Sequence, residues 1–405
     1  MRPEAQPMPT PDPGLFAWSP SVDAESALGT ADYSYEFVLR QFLTALGDRC
    51  SRVRRPEDAA TGSVLMSFAP PHRTPGVPGV RVIPVFAWEF DRLPDEQFGG
   101  DPQSDWRVPL ARCGAAITHS SFAVEVTRAA MGSTYPVVSL PAPLWDAHMG
   151  PARAEPPLVG GLVVTGIVAD SASDDPADAG TGTTHIKWRG PTFTAVLNPE
   201  DGRKNWPDLV SAFVFALRDR SDATLLIKVV HRDAERGVAP IAAALRRLGD
   251  FACRVVLVQA FLPDADYRHL VAGSTFAVNA SRGEGQCLPL MEFMSAGVPA
   301  IAPDHTAMAD YVSPDNAFVV PSGREPSAWP QDPRLLFTCH RRAIDWGALV
   351  AAYRSAYRVA TTDPVQYSAM SAAAIAATRS YCSIETVLAG LDGFLQALSL
   401  KWADD

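Results

Sequence analysis

Residues 281–299 constrain the fold more than any other part of the sequence. Pro289 suits the first turn of a helix, where its missing N–H costs nothing, and Gly297 suits the position just past that helix. Apolar runs lie on either side, at residues 274–279 and 300–303, and they have the composition of buried strands. The sequence therefore predicts a strand, a glycine-rich loop, a helix and a second strand in that order.

A helix that starts behind a glycine-rich loop favours a phosphate, because its first backbone N–H groups are free and its dipole is positive there. Glu284 and Glu292 lie in this same unit, eight positions apart. Carboxylates are awkward beside a phosphate unless they bind something else, and the hydroxyls of a sugar are natural partners for them. We expect both glutamates to be partly exposed in a cleft that binds a phosphate and a sugar.

The unit resembles the E-x7-E motif of retaining GT-B glycosyltransferases, especially those of family 4. The matching residues are Gly283-Glu284-Gly285, Leu288-Pro289, Glu292, Ala296-Gly297 and Val298-Pro299. The sequence departs from the family at Gln286-Cys287, where a glycine or small residue is usual, and at Phe293, where alanine is usual. The resemblance is good over residues 193–320 and fainter in the N-terminal half. It implies an α/β fold of the GT-B type, in which two Rossmann-like domains with parallel sheets face each other across a cleft.

A second polar segment, residues 198–206, follows a predicted strand and opens a predicted helix. Arg203 and Lys204 are adjacent there, and two cations at a helix start repel each other and the dipole unless an anion is present. Arg and Lys residues of this loop grip the nucleotide diphosphate in the family, so the resemblance implies that role here. An earlier arginine of the family falls near Asn198, so that cation is either missing or supplied by Arg203.

The resemblance also assigns roles around the donor. Glu292 would bind the ribose hydroxyls and Glu284 the hydroxyls of the donor sugar, while Lys204 and Arg203 would stabilise the departing diphosphate. Further donor-site candidates lie in the two loops and in the predicted base-binding loop, and they are Gly283, Gly285, Gln286, Cys287, Leu288, Asn198, Arg282, Phe261 and Leu262. The candidates on the acceptor side are Glu89, Asp91 and His119.

The composition agrees with a large enzyme made of two domains. The chain has 405 residues, of which 47% are hydrophobic, and its net charge of −10 argues against a nucleic-acid partner. Six scattered cysteines without metal-ligand spacing are typical of a reduced, cytoplasmic protein. Neither a signal peptide nor an apolar stretch of membrane-spanning length is apparent. No carboxylate pair is placed to hold a metal, so we expect no cofactor, with cationic side chains in its place.

Strands and helices alternate in two series, which predicts two helix-covered parallel sheets. We expect a disordered N-terminus over residues 1–13 and an acceptor domain over residues 14–185, with a flexible acidic segment near 170–182. The donor domain is predicted over residues 186–380. A C-terminal helix over residues 381–405 is expected to cross back to the first domain.

The predicted function is the transfer of a sugar, of the hexosyltransferase type, from a nucleotide-sugar donor to a glycan, polysaccharide or other hydroxyl acceptor. The resemblance implies that the anomeric configuration is retained. Two alternatives share the fold: a GT-B sugar-nucleotide epimerase and a non-catalytic homologue that binds sugar nucleotides. A glycosidase is a third, but its two carboxylates face each other across a sugar ring at about 5–10 Å, whereas Glu284 and Glu292 flank one helix start. The oligomeric state does not follow from the sequence.

Overall fold

The computed structural model describes residues 14–20, 31–173 and 180–403. These residues form two α/β domains, each built on its own sheet, and we call them domain 1 and domain 2 in chain order. The N-terminal segment 1–13, which we predicted to be disordered, lies outside the described ranges. Residues 174–179 of the predicted acidic segment also lie outside them.

Domain 1 is built on six parallel strands in the order β2-β1-β3-β4-β5-β6. Most residues of β3 and β4 are buried, as expected for parallel strands with both faces covered. In chain order the strands are β1 (Leu15–Trp18), β2 (Cys50–Arg52), β3 (Val64–Phe68), β4 (Arg81–Phe86), β5 (Ala116–Thr118) and β6 (Val137–Ser139). Its helices are α1 (Ala31–Leu46), α2 (Arg107–Cys113), α3 (Ser121–Met131) and α4 (Trp145–His148).

Domain 2 is built on eight strands in the order β14-β13-β12-β9-β10-β11-β7-β8. The strands β9 to β14 are parallel to one another, whereas β7 is antiparallel to both β11 and β8. They are β7 (Val159–Asp170), β8 (Gly180–Arg189), β9 (Thr192–Leu197), β10 (Thr224–Val229), β11 (Arg254–Gln259), β12 (Phe276–Val278), β13 (Ala300–Ala302) and β14 (Ala317–Val319). The apolar runs at residues 274–279 and 300–303 predicted β12 and β13, and β9 is the strand predicted before residues 198–206.

Helices cover both faces of the domain 2 sheet, and two of them begin at an aspartate that caps the first turn. The Asp345 side chain accepts a hydrogen bond from Ala348 N at the start of α9, and Asp363 does the same from Gln366 N before α10. The helices are α5 (Trp206–Leu217), α6 (Val238–Leu245), α7 (Asp264–Gly273), α8 (Leu288–Ser295), α9 (Trp346–Thr362) and α10 (Pro364–Cys382).

The antiparallel hairpin of β7 and β8 extends the domain 2 sheet at its edge. The predicted boundary between residues 185 and 186 falls inside β8, and the sheet takes in the chain from Val159 onwards. Two contacts account for this placement. Arg254 of β11 forms an ion pair with Asp170 at 2.5 Å, and Trp188 packs so closely on Gly160 that an added Cβ would lie 2.3 Å from its indole nitrogen.

The last helix, α11 (Ile384–Ala403), packs against domain 1. Val387 and Leu391 are buried in a hydrophobic cluster that continues from domain 1 into domain 2. Just before this helix, the Tyr381 hydroxyl donates a hydrogen bond of 2.6 Å to the backbone oxygen of His119. Within the described ranges, no helix is both long and apolar enough to cross a membrane.

A second hairpin reaches from domain 2 to domain 1, and we call residues 322–344 the hairpin arm. It comprises β15 (Ser322–Ala328), β16 (Thr338–Ile344) and the loop between them. Trp329 in this loop packs against Trp88 and Trp106 of domain 1, with ring centroids 5.8 and 5.7 Å apart. The arm was not among the predicted elements, because its strands are mostly polar and only part-buried.

The aromatic contact between the arm and domain 1 is expected to stabilise the folded protein. Trp329 is only 5% exposed, so Trp329→Ala would leave a cavity between the domains and should cost about 3–5 kcal/mol of unfolding free energy. Trp346 is 36% exposed, so Trp346→Ala serves as the matched control and should cost clearly less. Urea unfolding followed by circular dichroism measures both, and equal losses would contradict the assignment of Trp329 to an interdomain core.

Candidate active site

Three loops of domain 2 meet at the carboxyl ends of β9, β12 and β13, which is where ligands bind in open α/β sheets. The first loop spans residues 198–205, the second 279–287 and the third 303–310. Arg282 N donates a hydrogen bond of 2.7 Å to Arg203 O, which joins the first two loops. The predicted cationic loop and the predicted glycine-rich loop are therefore direct neighbours.

Lys204 and Glu284 form a buried ion pair between these two loops. The Lys204 Nζ lies 2.8 and 2.9 Å from the two carboxylate oxygens of Glu284, and Ser281 Oγ donates a further hydrogen bond of 2.6 Å. Burial raises the pKa of Glu284, but the charges of Lys204 and Arg203 and the hydrogen bonds outweigh it and lower the pKa to about 2. Glu284 is therefore held as an anion.

The backbone of Glu284 is fixed by the third loop. Glu284 N donates a hydrogen bond of 3.0 Å to Thr306 Oγ1, and Ala307 N donates one of 3.2 Å to Glu284 O. Thr306 has φ of 52°, an uncommon conformation for a branched residue. Because this conformation is held by contacts to Glu284, the carboxylate is positioned from both its backbone and its side chain.

Arg203 links domain 2 to domain 1 through its guanidinium. It forms ion pairs of 2.6 Å with Glu89 of domain 1 and 2.7 Å with Asp201 of its own loop. Burial raises the pKa of Glu89, against the opposing effect of the Arg203 charge. The predicted acceptor-side residue Glu89 and the predicted phosphate-binding residue Arg203 therefore contact each other directly.

Glu292 lies on α8 and faces a separate group of polar side chains. The Tyr267 hydroxyl donates a hydrogen bond of 2.5 Å to its carboxylate, and His148 Nε2 lies 3.9 Å away. Burial raises the pKa of Glu292 despite these contacts. Burial lowers the pKa of Lys228 at the end of β10, and the nearby Glu292 charge opposes that shift.

The domains approach closely over the glycine-rich loop. A Cβ added at Gly285 would lie 2.7 Å from the Ala87 Cβ of domain 1, and one at Gly283 would lie 3.1 Å from Glu89 O. The Gln286 side chain accepts a hydrogen bond of 2.8 Å from Ala142 N of domain 1. These glycines are therefore required for the contact between domains, and Gln286 joins the two domains.

Our expectation that Glu284 and Glu292 are partly exposed is wrong, since they are only 4% and 7% exposed. Their charged neighbours and the contact between the domains cover them. A cavity of about 670 Å³ lies beside α10 and α11, and one of about 450 Å³ lies between α5 and α6, with none of the site residues in either lining. The structure therefore shows the loops of the site in a closed arrangement.

The remaining donor-side candidates lie in different surroundings. Arg282 is turned towards the hairpin arm, where its Nη1 forms an ion pair of 2.8 Å with Glu325. Asn198 Oδ1 accepts a hydrogen bond of 3.1 Å from Glu200 N, which stabilises the turn of the loop. Cys287 precedes Leu288, the first residue of α8, and has φ of 62°. In the loop after β11, Phe261 is 70% exposed whereas Leu262 is buried.

The acceptor-side candidates Asp91 and His119 do not contact Glu284. Asp91 pairs with Arg324 of the hairpin arm at 2.5 Å and accepts a hydrogen bond of 2.7 Å from His340 N. His119 is buried, and its Nδ1 lies 2.8 Å from Leu140 O. Burial lowers the pKa of His119 to about 4, and its Nε2 has no partner among the described residues.

Several residues that hold the carboxylates in place were not among the predicted site residues. Ser281 and Asn279 contact Glu284, and Tyr267 contacts Glu292. Asn279 is the last residue of the predicted strand 274–279 and Ser281 is the first residue of the segment 281–299, so their polarity there was a usable signal. The partners contributed by α7 and by the hairpin arm had no such signal, because the tertiary fold alone brings them to the site.

Known proteins resemble this chain in part of its sequence and in its fold. Residues 191–332 match the family model of glycosyl transferases group 1, and no curated protein sequence matches significantly. Sucrose-phosphate synthase from Thermosynechococcus elongatus is similar in structure, with a TM-score of 0.60, 14% identity and coverage of 96% of this chain and 100% of that one. Anabaena HepE in complex with UDP gives a TM-score of 0.57 at 11% identity, over 95% of this chain and 100% of that one.

A longer protein is also similar. A point mutant of S. aureus TarM, in complex with Fondaparinux, alpha-GlcNAc-glycerol and UDP, gives a TM-score of 0.52 at 9% identity, and the match covers 82% of this chain. The chain spans only 55% of the TarM length. The two-domain α/β architecture is shared with all three structures.

Residues 191–332 are thus similar to glycosyl transferases group 1, and the chain has a GT-B fold. The predicted fold is thus confirmed, and the match over residues 191–332 supports the recognition of a glycosyltransferase. The match over residues 191–332 supports a glycosyl transferase class of enzyme. The matched region contains Arg203, Lys204, Glu284 and Glu292, the four charged residues around which the candidate site is built.

The buried pair of Lys204 and Glu284 leads to a prediction about stability. Lys204→Met would leave the Glu284 carboxylate buried without its partner, which should cost about 3–5 kcal/mol of unfolding free energy. The double variant Lys204→Met/Glu284→Gln removes that stranded charge and should recover a large part of the loss. Urea unfolding at pH 7 of both single variants and the double variant measures the coupling. If the two single losses simply add, the pair does not stabilise the fold.

Proposed function

We propose that the chain transfers a sugar from a nucleoside diphosphate sugar to a hydroxyl acceptor, with retention at the anomeric carbon. The observation that carries this proposal is the group of Arg203, Lys204 and Glu284 beside the start of α8, with Glu292 one turn further on. Cations and a helix N-terminus suit a diphosphate, and two fixed carboxylates suit the hydroxyls of two sugars. The site thus contains cations for the diphosphate of such a donor and carboxylates for its two sugars.

The proposed chemistry is electrostatic stabilisation of the leaving diphosphate. Arg203 and Lys204 would contact its oxygens, and their positions are already fixed by ion pairs, so little reorganisation is needed during the reaction. Glu284 is an anion that two cations and a serine hydroxyl hold in place, so it is suited to orient the donor sugar. Because side-chain cations are available to stabilise the leaving group, we propose a reaction that does not depend on a metal ion.

The proposal includes an opening and closing of domain 1 and domain 2 around the ligand. Arg203 is paired with Glu89 of domain 1, so a bound diphosphate would compete with that carboxylate for the guanidinium. The acceptor would then enter from the side of domain 1, near Glu89, Asp91 and His119. Nδ1–H of His119 donates to Leu140 O, so the unpartnered Nε2 is an acceptor for a sugar hydroxyl on that side.

The acceptor that we propose is a glycan or polysaccharide, which places the chain in polysaccharide biosynthesis. HepE and TarM, which share the fold, are complexed with UDP, so uridine diphosphate is the first nucleotide to test. The assignment to family 4 rests on the E-x7-E spacing of Glu284 and Glu292. We propose a cytoplasmic location, which is supported by six free cysteines, five of them buried.

Binding of nucleoside diphosphates is the first expected result. Ligand at about 100 times its dissociation constant should raise the unfolding free energy by about 2.7 kcal/mol, which a thermal-shift measurement detects. Uridine diphosphate and guanosine diphosphate are compared with free uridine, free glucose and buffer. The nucleoside and the sugar should shift the melting temperature far less, because they lack the diphosphate. No shift with any common nucleoside diphosphate would overturn the proposal.

The same assay, extended to turnover, separates the alternatives. A transferase releases nucleoside diphosphate only when an acceptor is present, whereas an epimerase interconverts sugar nucleotides without any acceptor. A non-catalytic homologue would bind the nucleotide and release nothing. Chromatography of the nucleotide pool, with and without a mixture of oligosaccharide acceptors, distinguishes these three outcomes.

The two glutamates should differ in what their loss damages. Glu292 is proposed to contact the ribose, so Glu292→Gln should weaken the binding of nucleoside diphosphate, about tenfold to a hundredfold for a charge-assisted hydrogen bond. Glu284 is proposed to contact the transferred sugar, so Glu284→Gln should lower kcat by a similar factor. Its binding of nucleoside diphosphate should be unchanged or tighter, because the charge of Lys204 is then free.

Calorimetry with nucleoside diphosphate and initial-rate measurements decide between these roles. Tyr267→Phe is a matched control, because it removes only the hydrogen bond that orients Glu292 and should weaken binding less than Glu292→Gln. If Glu284→Gln abolishes nucleotide binding and Glu292→Gln does not, the two roles are reversed. If both variants behave as the wild type, neither glutamate contacts the donor.

A further inference from the structure

Three arginines lie side by side on neighbouring segments of the site. Arg282 N donates a hydrogen bond of 2.7 Å to Arg203 O, and Arg342 N donates one of 2.8 Å to Arg282 O. Backbone hydrogen bonds therefore join three neighbouring segments, which are the cationic loop, the glycine-rich loop and strand β16 of the hairpin arm. The arm is thus a part of the site and not only a contact between the domains.

The first two arginines have carboxylate partners and the third has none. Arg203 pairs with Glu89 and Asp201, and Arg282 pairs with Glu325. The half-buried Arg342 makes no ion pair and no side-chain hydrogen bond with the part of the chain that the structure describes. Its direct cross-strand neighbour is another cation, Arg324, and like charges in that position are unfavourable.

A second unsatisfied group, His305, lies near Arg342. His305 is 5% exposed, and its Nδ1 lies 3.3 Å from Thr306 Oγ1. The Thr306 hydroxyl donates its proton to His305 O at 2.7 Å, so Nδ1 must carry the proton in the contact between the two side chains. Nε2 is then an unprotonated acceptor, and it is buried without any partner among the described residues.

The charges around His305 and Arg342 place this pair beside Glu284. Burial and the neighbouring Arg342 charge lower the pKa of His305 to about 4, against the opposing effect of the Glu284 charge. The imidazole is therefore neutral at pH 7. A free cation beside a free, neutral acceptor suits a ligand that carries both negative charge and hydroxyl groups, which is the chemistry of a sugar phosphate.

We propose that Arg342 is a third cation for the diphosphate of the donor, supplied by the hairpin arm, and that His305 Nε2 accepts a hydrogen bond from a hydroxyl of the same ligand. This inference rests on the function proposed above. Lys204 is neutralised by Glu284, and Arg203 by Glu89 and Asp201, so these two cations bring no surplus charge to a diphosphate. Among the three neighbouring arginines, Arg342 is the one whose charge is not compensated by a carboxylate of the described residues.

Arg342→Gln tests the inference with uridine diphosphate and inorganic pyrophosphate as probes in calorimetry. Losing one charge-assisted contact should weaken the binding of both about tenfold to a hundredfold, and should leave the much weaker binding of free uridine unchanged. Arg342→Lys keeps the charge and should retain part of the affinity. Arg358→Gln is the matched control, because it removes one exposed arginine of α9 that lies outside the site and the hairpin arm, and it should bind both probes as the wild type does.

The outcomes separate this inference from the proposed function. If the wild type binds the probes and Arg342→Gln binds them equally well, the inference is overturned while the proposed function stands. If pyrophosphate binds through Arg342 but no nucleoside diphosphate binds, the anion site stands and the nucleotide-sugar function falls. If neither probe binds the wild type, both fall. Equal losses in Arg342→Gln and Arg358→Gln also overturn the inference, because they point to an effect of net charge and not of a contact in the site.

Discussion

The buried contact between Lys204 and Glu284 is the interaction on which the site depends. It joins the loops after β9 and β12, which are distant in sequence, and it does so where both side chains are largely removed from water. A pair of this kind gains little net stability over an apolar pair, but losing one member is costly. The two charges therefore act as a constraint on geometry, since the loops must stay in register to keep both of them satisfied.

Contacts between domain 1 and domain 2 constrain the site in the same way. Arg203 meets Glu89, the backbone of Gly285 lies against Ala87, and Asp91 meets the hairpin arm. Each contact brings a group of domain 1 against a loop or hairpin of domain 2. A ligand that takes over one of these partners changes the energy of the interface as well as its own. Binding in the cleft and the relative position of the domains are consequently coupled by shared charges.

Much of the fold follows from the sequence because apolar runs, glycines and prolines act locally. The run from Thr192 to Leu197 has the pattern of a buried strand, and Pro289 with Gly297 bounds the helix that follows the glycine-rich loop. The hairpin of β7 and β8 and the hairpin arm could not be predicted from the sequence in this way. Strand β8 is rich in glycine and threonine, and the hairpin arm is rich in charged residues, so neither shows the apolar pattern that identifies a strand on its own.

The candidate site could also be predicted only in part. Glu284, Lys204, Arg203 and Glu292 were found because they lie at a helix start or on its first turns, and the fold brings the first three together. Their burial was not foreseen, because exposure depends on partners such as Tyr267 and Glu89 that come from other elements. The unpaired state of Arg342 likewise depends on which carboxylates the folded chain places near it. Local pattern thus identified the charged residues, and only tertiary contact determined their surroundings.

The cluster of Trp88, Trp106 and Trp329 has a consequence for observing the molecule. Two of these indoles belong to domain 1 and one to the hairpin arm of domain 2, and all three are almost completely buried. Indole emission shifts when the ring becomes hydrated, so separation of the arm from domain 1 would change the natural fluorescence of the chain. The protein thus contains its own optical sensor of domain position, placed by the same packing that holds the arm in place.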